Sequence, residues 1–398
     1  MKLCLDHPDF DAQLQRTLAA SNSGSADIGE ALATARSVVS GNADDWFTRW
    51  SSVARATGEK ARDAIRTGHI LTAQRAFLRA TEYWRQAIYF IRHDLNDARL
   101  QQGYREHRTA FRSAVPLLPW TVTMAEIPLG GAWMGAYLLR ASAHADAPRP
   151  TLLLPCGYDS TAEAGYADAA FRALSRGYNA VLWDGPGQGG MLYEQRVPMR
   201  PDFEAVLTPV LDWVVRQPGV DATRLALVGR SFAGYLAPRA AAFENRLAAL
   251  VCDPAQVEFV SRIVPGMLDE ATWQRLLAGD PALDQQLEAL RKNPEKREWY
   301  GARMATLGAT TVGDFLRLQP EYSVASMAHK IRCPTLITEG EGDFASQGQE
   351  LFERLTCPKT FVRFSESQGA GGHCCGLGQN LWEETVFDWL DETLGVRA

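Results

Sequence analysis

The chain has 398 residues, 46% of them hydrophobic and 22% charged, and a formal net charge of -6. A chain of this length buries a large core, and its balance of apolar and charged residues excludes a disordered polymer. No block of basic residues stands out, which excludes nucleic acid as a main partner, because phosphate binding needs a clustered basic surface.

The opening MKLCLDHPDF carries no apolar run of signal-peptide length. Nowhere does the chain reach the roughly 20 consecutive apolar residues that cross a bilayer. The seven cysteines (Cys4, Cys156, Cys252, Cys333, Cys357, Cys374 and Cys375) are odd in number and scattered. A reduced, cytoplasmic protein with few or no structural disulfides is the expectation.

Residues 1–115 read as a helical region. Its clearest segment is AQRAFLRATEYWRQAIYFIRHD, where Phe77, Ala80, Tyr83, Trp84, Ala87, Ile88 and Ile91 recur at three- and four-residue steps and make one apolar stripe. Such aromatics are expected in the core. A Ser/Gly/Ala stretch near residues 20–26 reads as a loop. Nothing polar in this region is arranged like a catalytic set.

After Pro116 the texture changes. WTVTMAEIPLGG and AWMGAYLLRAS predict paired strands around a Gly-Gly turn. Then RPTLLLPCG, NAVLWDGPG, RLALVGRS, LAALVCDP, PTLITEGEGD and TFVRFSES follow as short apolar runs without polar alternation, the pattern of strands buried on both faces. Helical stretches separate them, such as YADAAFRALSRG, stopping at Gly177, and FEAVLTPVLDWVVRQ, stopping before Pro218. This alternation predicts an α/β protein with a mainly parallel, doubly wound sheet. Residues 256–330 break the rhythm. They read as a helical insertion, a cap, carrying Phe259, Met267, Leu268, Trp273, Trp299, Tyr300, Met304, Phe315 and Tyr322. The expected organisation is a helical region at 1–115, a core at 116–255 and 331–398, and the cap at 256–330.

Gly229-Arg230-Ser231-Phe232-Ala233-Gly234 lies between the strand-like RLALV and the helix-like YLAPRAAAF. That is the setting in which G-x-S-x-G makes a nucleophile elbow, with the serine lifted on a tight strand-to-helix turn. Ala233 stands where glycine is usual and is small enough for the turn. Ser231 is therefore the candidate nucleophile. In chain order the acid and then the histidine should come after it. His7, His69, His93 and His107 lie in the N-terminal region, and His144 and His329 precede strands. Only His373 lies after a late strand, in a glycine loop with a helix (LWEETVFDWLDETL) behind it. The acid should lie after PTLIT. Asp343 is the first choice by its distance from the strand, with Glu341 a rival and Glu339 a weaker one. It must take the Nδ1 hydrogen of His373 so that Nε2 faces Ser231.

The loop Cys156-Gly157-Tyr158-Asp159-Ser160 comes after an early strand, where the second oxyanion donor usually sits. The backbone N–H groups of Tyr158 and Phe232 are the candidate oxyanion hole. Asp184-Gly185-Pro186-Gly187-Gln188-Gly189-Gly190 lacks the Gly-Lys-Ser/Thr ending of a phosphate loop and reads as a tight turn. Cys374 and Cys375 adjoin His373, but no second Cys/His pair has metal-ligand spacing, so they read as packing or loop residues. No metal and no cofactor is expected.

The elbow, the D-G-P-G-Q-G turn, the C-G-Y-D-S-T loop, the C-P-T-L-I strand and the G-A-G-G-H loop together resemble one branch of the α/β-hydrolases. That branch carries an N-terminal helical domain and includes 2,6-dihydroxypseudooxynicotine hydrolase and fungal hydrolases that shorten heptaketide pigments. The resemblance covers nearly the whole chain and implies the α/β-hydrolase fold with a Ser-Asp-His triad. It also implies cleavage of a carbon–carbon bond beside a ketone, although similar proteins include esterases and peptidases. The aromatic cap suggests a bulky, flat or greasy small molecule. The expected function is hydrolysis of a carbon–carbon or ester bond in such a compound. A thioesterase or cyclase of polyketide release, a general carboxylesterase, and a non-catalytic binding protein on the same scaffold remain as alternatives, and a homodimer is left open.

Overall fold

The computed structural model describes residues 2–141, 147–259 and 268–396; His144 and Met267 lie outside the described residues. The N-terminal region forms helices α1 (Pro8–Ala19), α2 (Ile28–Arg36), α3 (Ala43–Arg66), α4 (Ile70–Ile88) and α5 (Ala98–Ala114). Asp27, Asn42 and Asp97 cap α2, α3 and α5 by accepting backbone N–H groups of the first turn. The stripe expected along α4 is buried, but so are Leu78, Thr81, Glu82, Arg85 and Gln86 on its other sides. The helix is wedged between α3, α5 and the sheet domain, so one apolar stripe understates its burial. Its polar residues are matched internally: Arg85 pairs with Glu82 at 2.6 Å, and Thr17 of α1 donates to Glu82 at 2.7 Å.

The hairpin β1 (Thr121–Leu129) and β2 (Ala132–Arg140) leads into β3 (Arg149–Pro155), α6 (Phe171–Ser175), β4 (Asn179–Trp183), α7 (Gly189–Tyr193), α8 (Glu204–Val214), β5 (Val220–Arg230), α9 (Ala233–Ala241) and β6 (Ala249–Asp253). After the cap come β7 (Thr335–Gly340) and β8 (Lys359–Phe364). The eight strands form one sheet in the order β1-β2-β4-β3-β5-β6-β7-β8. The β1–β2 and β2–β4 pairs are antiparallel and all the others parallel. Alternate residues of the central strands feed two cores. Leu153, Val181, Leu225, Leu227 and Leu250 face α8, α9 and the cap. Leu152, Leu182, Ala226, Val251 and Leu336 face the N-terminal helices and the final helix, Gln379–Leu394. The run TFVRF departs from the expectation of burial on both faces. As β8 it is the sheet edge, where Arg363 reaches solvent.

This is the α/β-hydrolase fold, with a helical N-terminal region and a cap inserted after β6. Four helices of the cap, Glu270–Leu277, Pro281–Glu288, Pro294–Leu307 and Val312–Leu318, each have a side-chain N-cap, from Asp269, Asp280, Asn293 and Thr311. Tyr322 ties the cap down by donating to the carbonyl of Met199 at 3.0 Å. No helix among the described residues is long and apolar enough to cross a membrane. The chain leaves β3 for β4 on one side and later returns to place β5 on the other. Loops after β3 and β5 therefore splay apart at a topological switch point, where open sheets offer a crevice.

Candidate active site

Ser231 sits between β5 and α9 with φ 57, a left-handed conformation that a side chain adopts only when its surroundings impose it. Its N–H donates to the Asp253 carbonyl at 2.8 Å, and its own carbonyl accepts from Gly234 N–H at 2.8 Å. Glycine is required on both flanks. A Cβ at Gly229 would meet the Ala233 carbonyl oxygen at 2.0 Å, and one at Gly234 would meet the Pro254 carbonyl oxygen at 1.8 Å. Ala233 is buried without displacing the turn.

The glycine loop after β8 brings His373 to this serine. Nε2 lies 2.8 Å from Ser231 Oγ, and Nδ1 lies 2.9 Å from Asp343 Oδ1. With the Nδ1 hydrogen on a carboxylate shut from solvent, Nε2 is left to accept the serine proton. The other acids after β7 point elsewhere. Glu341 accepts from Glu366 N–H at 2.9 Å, while Glu339 takes Arg363 and the Ser346 hydroxyl. Burial lowers the His373 pKa, but the neighbouring Cys374 and the Asp343 carboxylate outweigh it and hold it well above its ordinary 6.5. His107, by contrast, is buried beneath the N-terminal helices. There Nδ1 donates to the Thr81 carbonyl and Nε2 meets the Thr161 hydroxyl, both at 2.7 Å.

Cys374 (φ 51) and Cys375 (φ 63) make the bend that delivers His373. Their thiols are free, and both read as loop residues with specific contacts: Cys374 N–H donates to Asp343 Oδ2 at 3.1 Å. Arg230, inside the elbow itself, straps the loop to the sheet. It pairs with buried Asp253 at 2.9 Å, donates to the Cys374 carbonyl at 2.9 Å, and stacks 4.1 Å over the Trp382 ring.

The loop after β3 lies against Ser231. A Cβ at Gly157 would sit 3.3 Å from Ser231 Cβ and 3.6 Å from its Oγ. The next residue, Tyr158, packs its ring edge-on to Phe232 at 5.1 Å. Phe232 stands at the N-cap of α9, where N–H groups lack an intrahelical acceptor. The D-G-P-G-Q-G turn braces this loop from behind. Gln188 donates to the carbonyls of Cys156 at 2.7 Å and Gly157 at 3.1 Å. Asp184 accepts from Ala162 N–H at 2.7 Å and Gly190 N–H at 2.8 Å. Burial, then the charge of Glu163, pushes the Asp184 carboxyl up to about 6 against those donors.

A cavity of about 740 Å³ opens over Ser231 and His373. Of the aromatic and apolar cap residues, Phe259, Trp299 and Phe315 line it, while Trp273, Tyr300, Met304 and Tyr322 are packed in the core. Phe344 also lines it, its ring 4.9 Å from that of His373.

The esterase FrsA-like family matches residues 10–263. The chain belongs to this family. It is 29% identical to hydrolase acrC of Aspergillus aculeatus, over 98% of this chain and 97% of that one. It is equally 29% identical to 20-hydroxy-prefusarin hydrolase FUS2 of Gibberella moniliformis, with the same coverage of both. The crystal structure of 2,6-dihydroxy-pseudo-oxynicotine hydrolase superposes with a TM-score of 0.73 over 95% of each chain, at 21% identity, a likeness of fold. The chain is thus a member of the α/β-hydrolase enzyme superfamily.

The N-terminal region also contributes to the surroundings of the site. The N-terminal helices hold no catalytic set, yet their polar residues reach the site. Arg16 of α1 pairs with Asp159 at 3.0 Å and donates to the Ser160 hydroxyl at 3.1 Å. The Tyr89 hydroxyl donates to Asp159 at 2.6 Å. Burial pushes the Asp159 pKa up, but Arg16 and Arg92 more than offset it and hold the carboxyl below its usual range. These partners are separated by 143 and 70 residues, so no local spacing announces them.

Proposed function

We propose that this chain is a serine hydrolase that cleaves a carbon–carbon bond beside a ketone, or an ester bond, in a bulky aromatic or polyketide-like small molecule. Ser231 is the nucleophile, His373 the general base and Asp343 the orienting acid. The N–H groups of Tyr158 and Phe232 form the oxyanion hole. The observation carrying this reading is the relay Asp343–His373–Ser231, with contacts of 2.9 and 2.8 Å, at the floor of the aromatic-lined cavity.

His373 Nε2 takes the Ser231 proton while Oγ bonds to the substrate carbonyl carbon, whose electron pair moves to oxygen. The oxyanion then collapses and breaks the bond to the leaving group. In an ester that group departs as an alkoxide. In a β-diketone or acyl-phenol it departs as a carbanion held as an enolate or by an aromatic ring. His373 returns the proton to it, then takes one from water as the water oxygen bonds to the acyl carbon; the bond to Oγ breaks, His373 gives that proton to Oγ, and the acid product leaves. Residues 1–115 form the helical region, 116–255 and 331–398 the catalytic core and 256–330 the cap in this scheme, acting in the cytoplasm without a cofactor.

The family's description favours the ester, and the relative named for hydrolysis of 20-hydroxy-prefusarin supports a small-molecule substrate. A panel of p-nitrophenyl esters, acyl thioesters and aryl β-diketones separates ester from carbon–carbon cleavage, and separates both from thioesterase or cyclase activity. Covalent labelling by a fluorophosphonate, lost in Ser231→Ala, is expected. An unlabelled protein, or Ser231→Ala retaining most of its turnover, refutes the nucleophile and points to water activated directly by His373.

A further inference from the structure

The cavity wall is chemically divided. Phe232, Phe259, Trp299 and Phe315 supply its apolar part, whereas Arg16, Arg92, Glu298 and Arg303 bring charge to it from the N-terminal region and the cap. On the premise that this cavity receives the substrate of the proposed hydrolysis, we propose that Arg92 and Arg303 form a subsite for an anionic oxygen group of that substrate, a carboxylate or an ionised phenol or enol.

Three observations support it. First, the two guanidinium groups are held by neighbouring carbonyls and rings, with Asp159 and Glu298 acting on them only from beyond ion-pair distance. Arg92 donates from Nε to the Tyr89 carbonyl at 2.7 Å and lies 4.0 Å over the Tyr89 ring. Arg303 donates to the Trp299 carbonyl at 3.0 Å and lies 3.7 Å over the Trp299 ring. Neither forms an ion pair with a carboxylate among the described residues. Stacking fixes the plane of a guanidinium and leaves its N–H edges to donate, the geometry that receives a carboxylate or phenolate.

Second, the nearby acids are already committed or only partly charged. Arg16 engages Asp159 at 3.0 Å and Asp168 at 3.6 Å. Burial pushes the Glu298 carboxyl up to about 7, although Arg92 and Arg303 both pull it down. At neutral pH it cancels only part of their charge. Asp9, the other carboxylate in the lining, lies on the exposed surface. Arg92 is nearly shut from solvent, and burial disfavours its charge, but the neighbouring Tyr89, Tyr193 and Asp159 keep it a cation, able to receive an anion.

Third, the subsite is joined to the reaction centre. The Arg303 carbonyl accepts the Tyr158 hydroxyl at 3.1 Å, so the cap residue that would grip the substrate is bonded to the residue whose N–H faces the carbonyl. An acidic group on the substrate would thereby set which carbonyl lies over Ser231.

The test measures binding, so that it stands apart from the hydrolytic reading. The full-length Ser231→Ala protein is titrated calorimetrically with 1-naphthylacetate, with its neutral isostere 1-naphthylacetamide, and with an acidic nitronaphthol. The carboxylate is expected to bind about tenfold or more tightly than the amide, the scale of one charge-assisted hydrogen bond. That preference should vanish in Arg92→Met and Arg303→Met, with folding checked by circular dichroism, and return in part in Arg303→Lys. Preference for the carboxylate alone supports the subsite and names a carboxylate as its ligand. Preference for both anions supports it and includes phenols and enols. Equal binding of acid and amide, or a preference that survives both Met substitutions, overturns it. Loss of fluorophosphonate labelling in the wild-type chain would instead bear on Ser231 and leave this result standing.

Discussion

Replacing Asp343 by asparagine removes one charge without changing size, and the local contacts define the cost. The carboxylate accepts four N–H approaches: His373 Nδ1 at 2.9 Å and Ala345 N–H at 2.8 Å on Oδ1, then His373 Nδ1 at 3.2 Å and Cys374 N–H at 3.1 Å on Oδ2. An asparagine can keep its oxygen on only one side. With the oxygen at the Oδ1 position, its NH2 meets the Cys374 N–H, donor against donor. With the amide reversed, the NH2 faces both Ala345 N–H and His373 Nδ1, which forces the imidazole hydrogen onto Nε2 and offers Ser231 a donor instead of an acceptor. In either orientation the imidazolium formed during attack loses its counter-charge. Loss of the orienting carboxylate in such a triad drops kcat by about 10⁴, or about 5.5 kcal/mol of barrier. The fold should survive, because the buried group becomes neutral. The assay is steady-state hydrolysis of a p-nitrophenyl ester, with active-site titration by fluorophosphonate and a thermal melt as control. A folded Asp343→Asn protein with more than about a tenth of wild-type kcat refutes the relay.

The same contacts give three further expected outcomes. A general base at His373, as proposed, must be neutral to act and its pKa is held above 6.5, so kcat/KM should fall as pH drops through a value above 6.5; an acid limb at or below that value contradicts the assignment. Arg16→Met frees Asp159 and the loop carrying Tyr158, and kcat should fall by about 10²-fold, the cost of a misplaced donor, with KM changing less. An effect on KM alone would mean that Arg16 only binds substrate. Arg230→Met leaves the fully buried Asp253 carboxylate without its cation and should cost about 3–5 kcal/mol in urea unfolding at pH 7. Burial already raises the Asp253 pKa, so the deficit should shrink at lower pH as that carboxyl takes a proton. A loss that stays constant with pH would exclude this cause.

The sequence by itself determined the features that depend on neighbours in the chain. Alternating strand and helix runs announced the parallel sheet, because the central runs must bury both faces. Gly229 and Gly234 marked a turn that only small residues permit, and chain order singled out Ser231 and His373 among many serines and seven histidines. Tertiary structure decided the rest. Glu339, Glu341 and Asp343 lie within five residues and share one chemistry; only the path of the Cys374 bend shows that Asp343 faces the imidazole. The apolar stripe of α4 says it packs, but not that its C-terminal half is buried on its polar side as well. Arg16, Tyr89, Arg92 and Arg303 carry no local signature, since each acquires its role from contacts made by other elements of the fold. A side chain's partners across a cavity are set by the packing of whole helices, and no spacing along the chain encodes that packing directly.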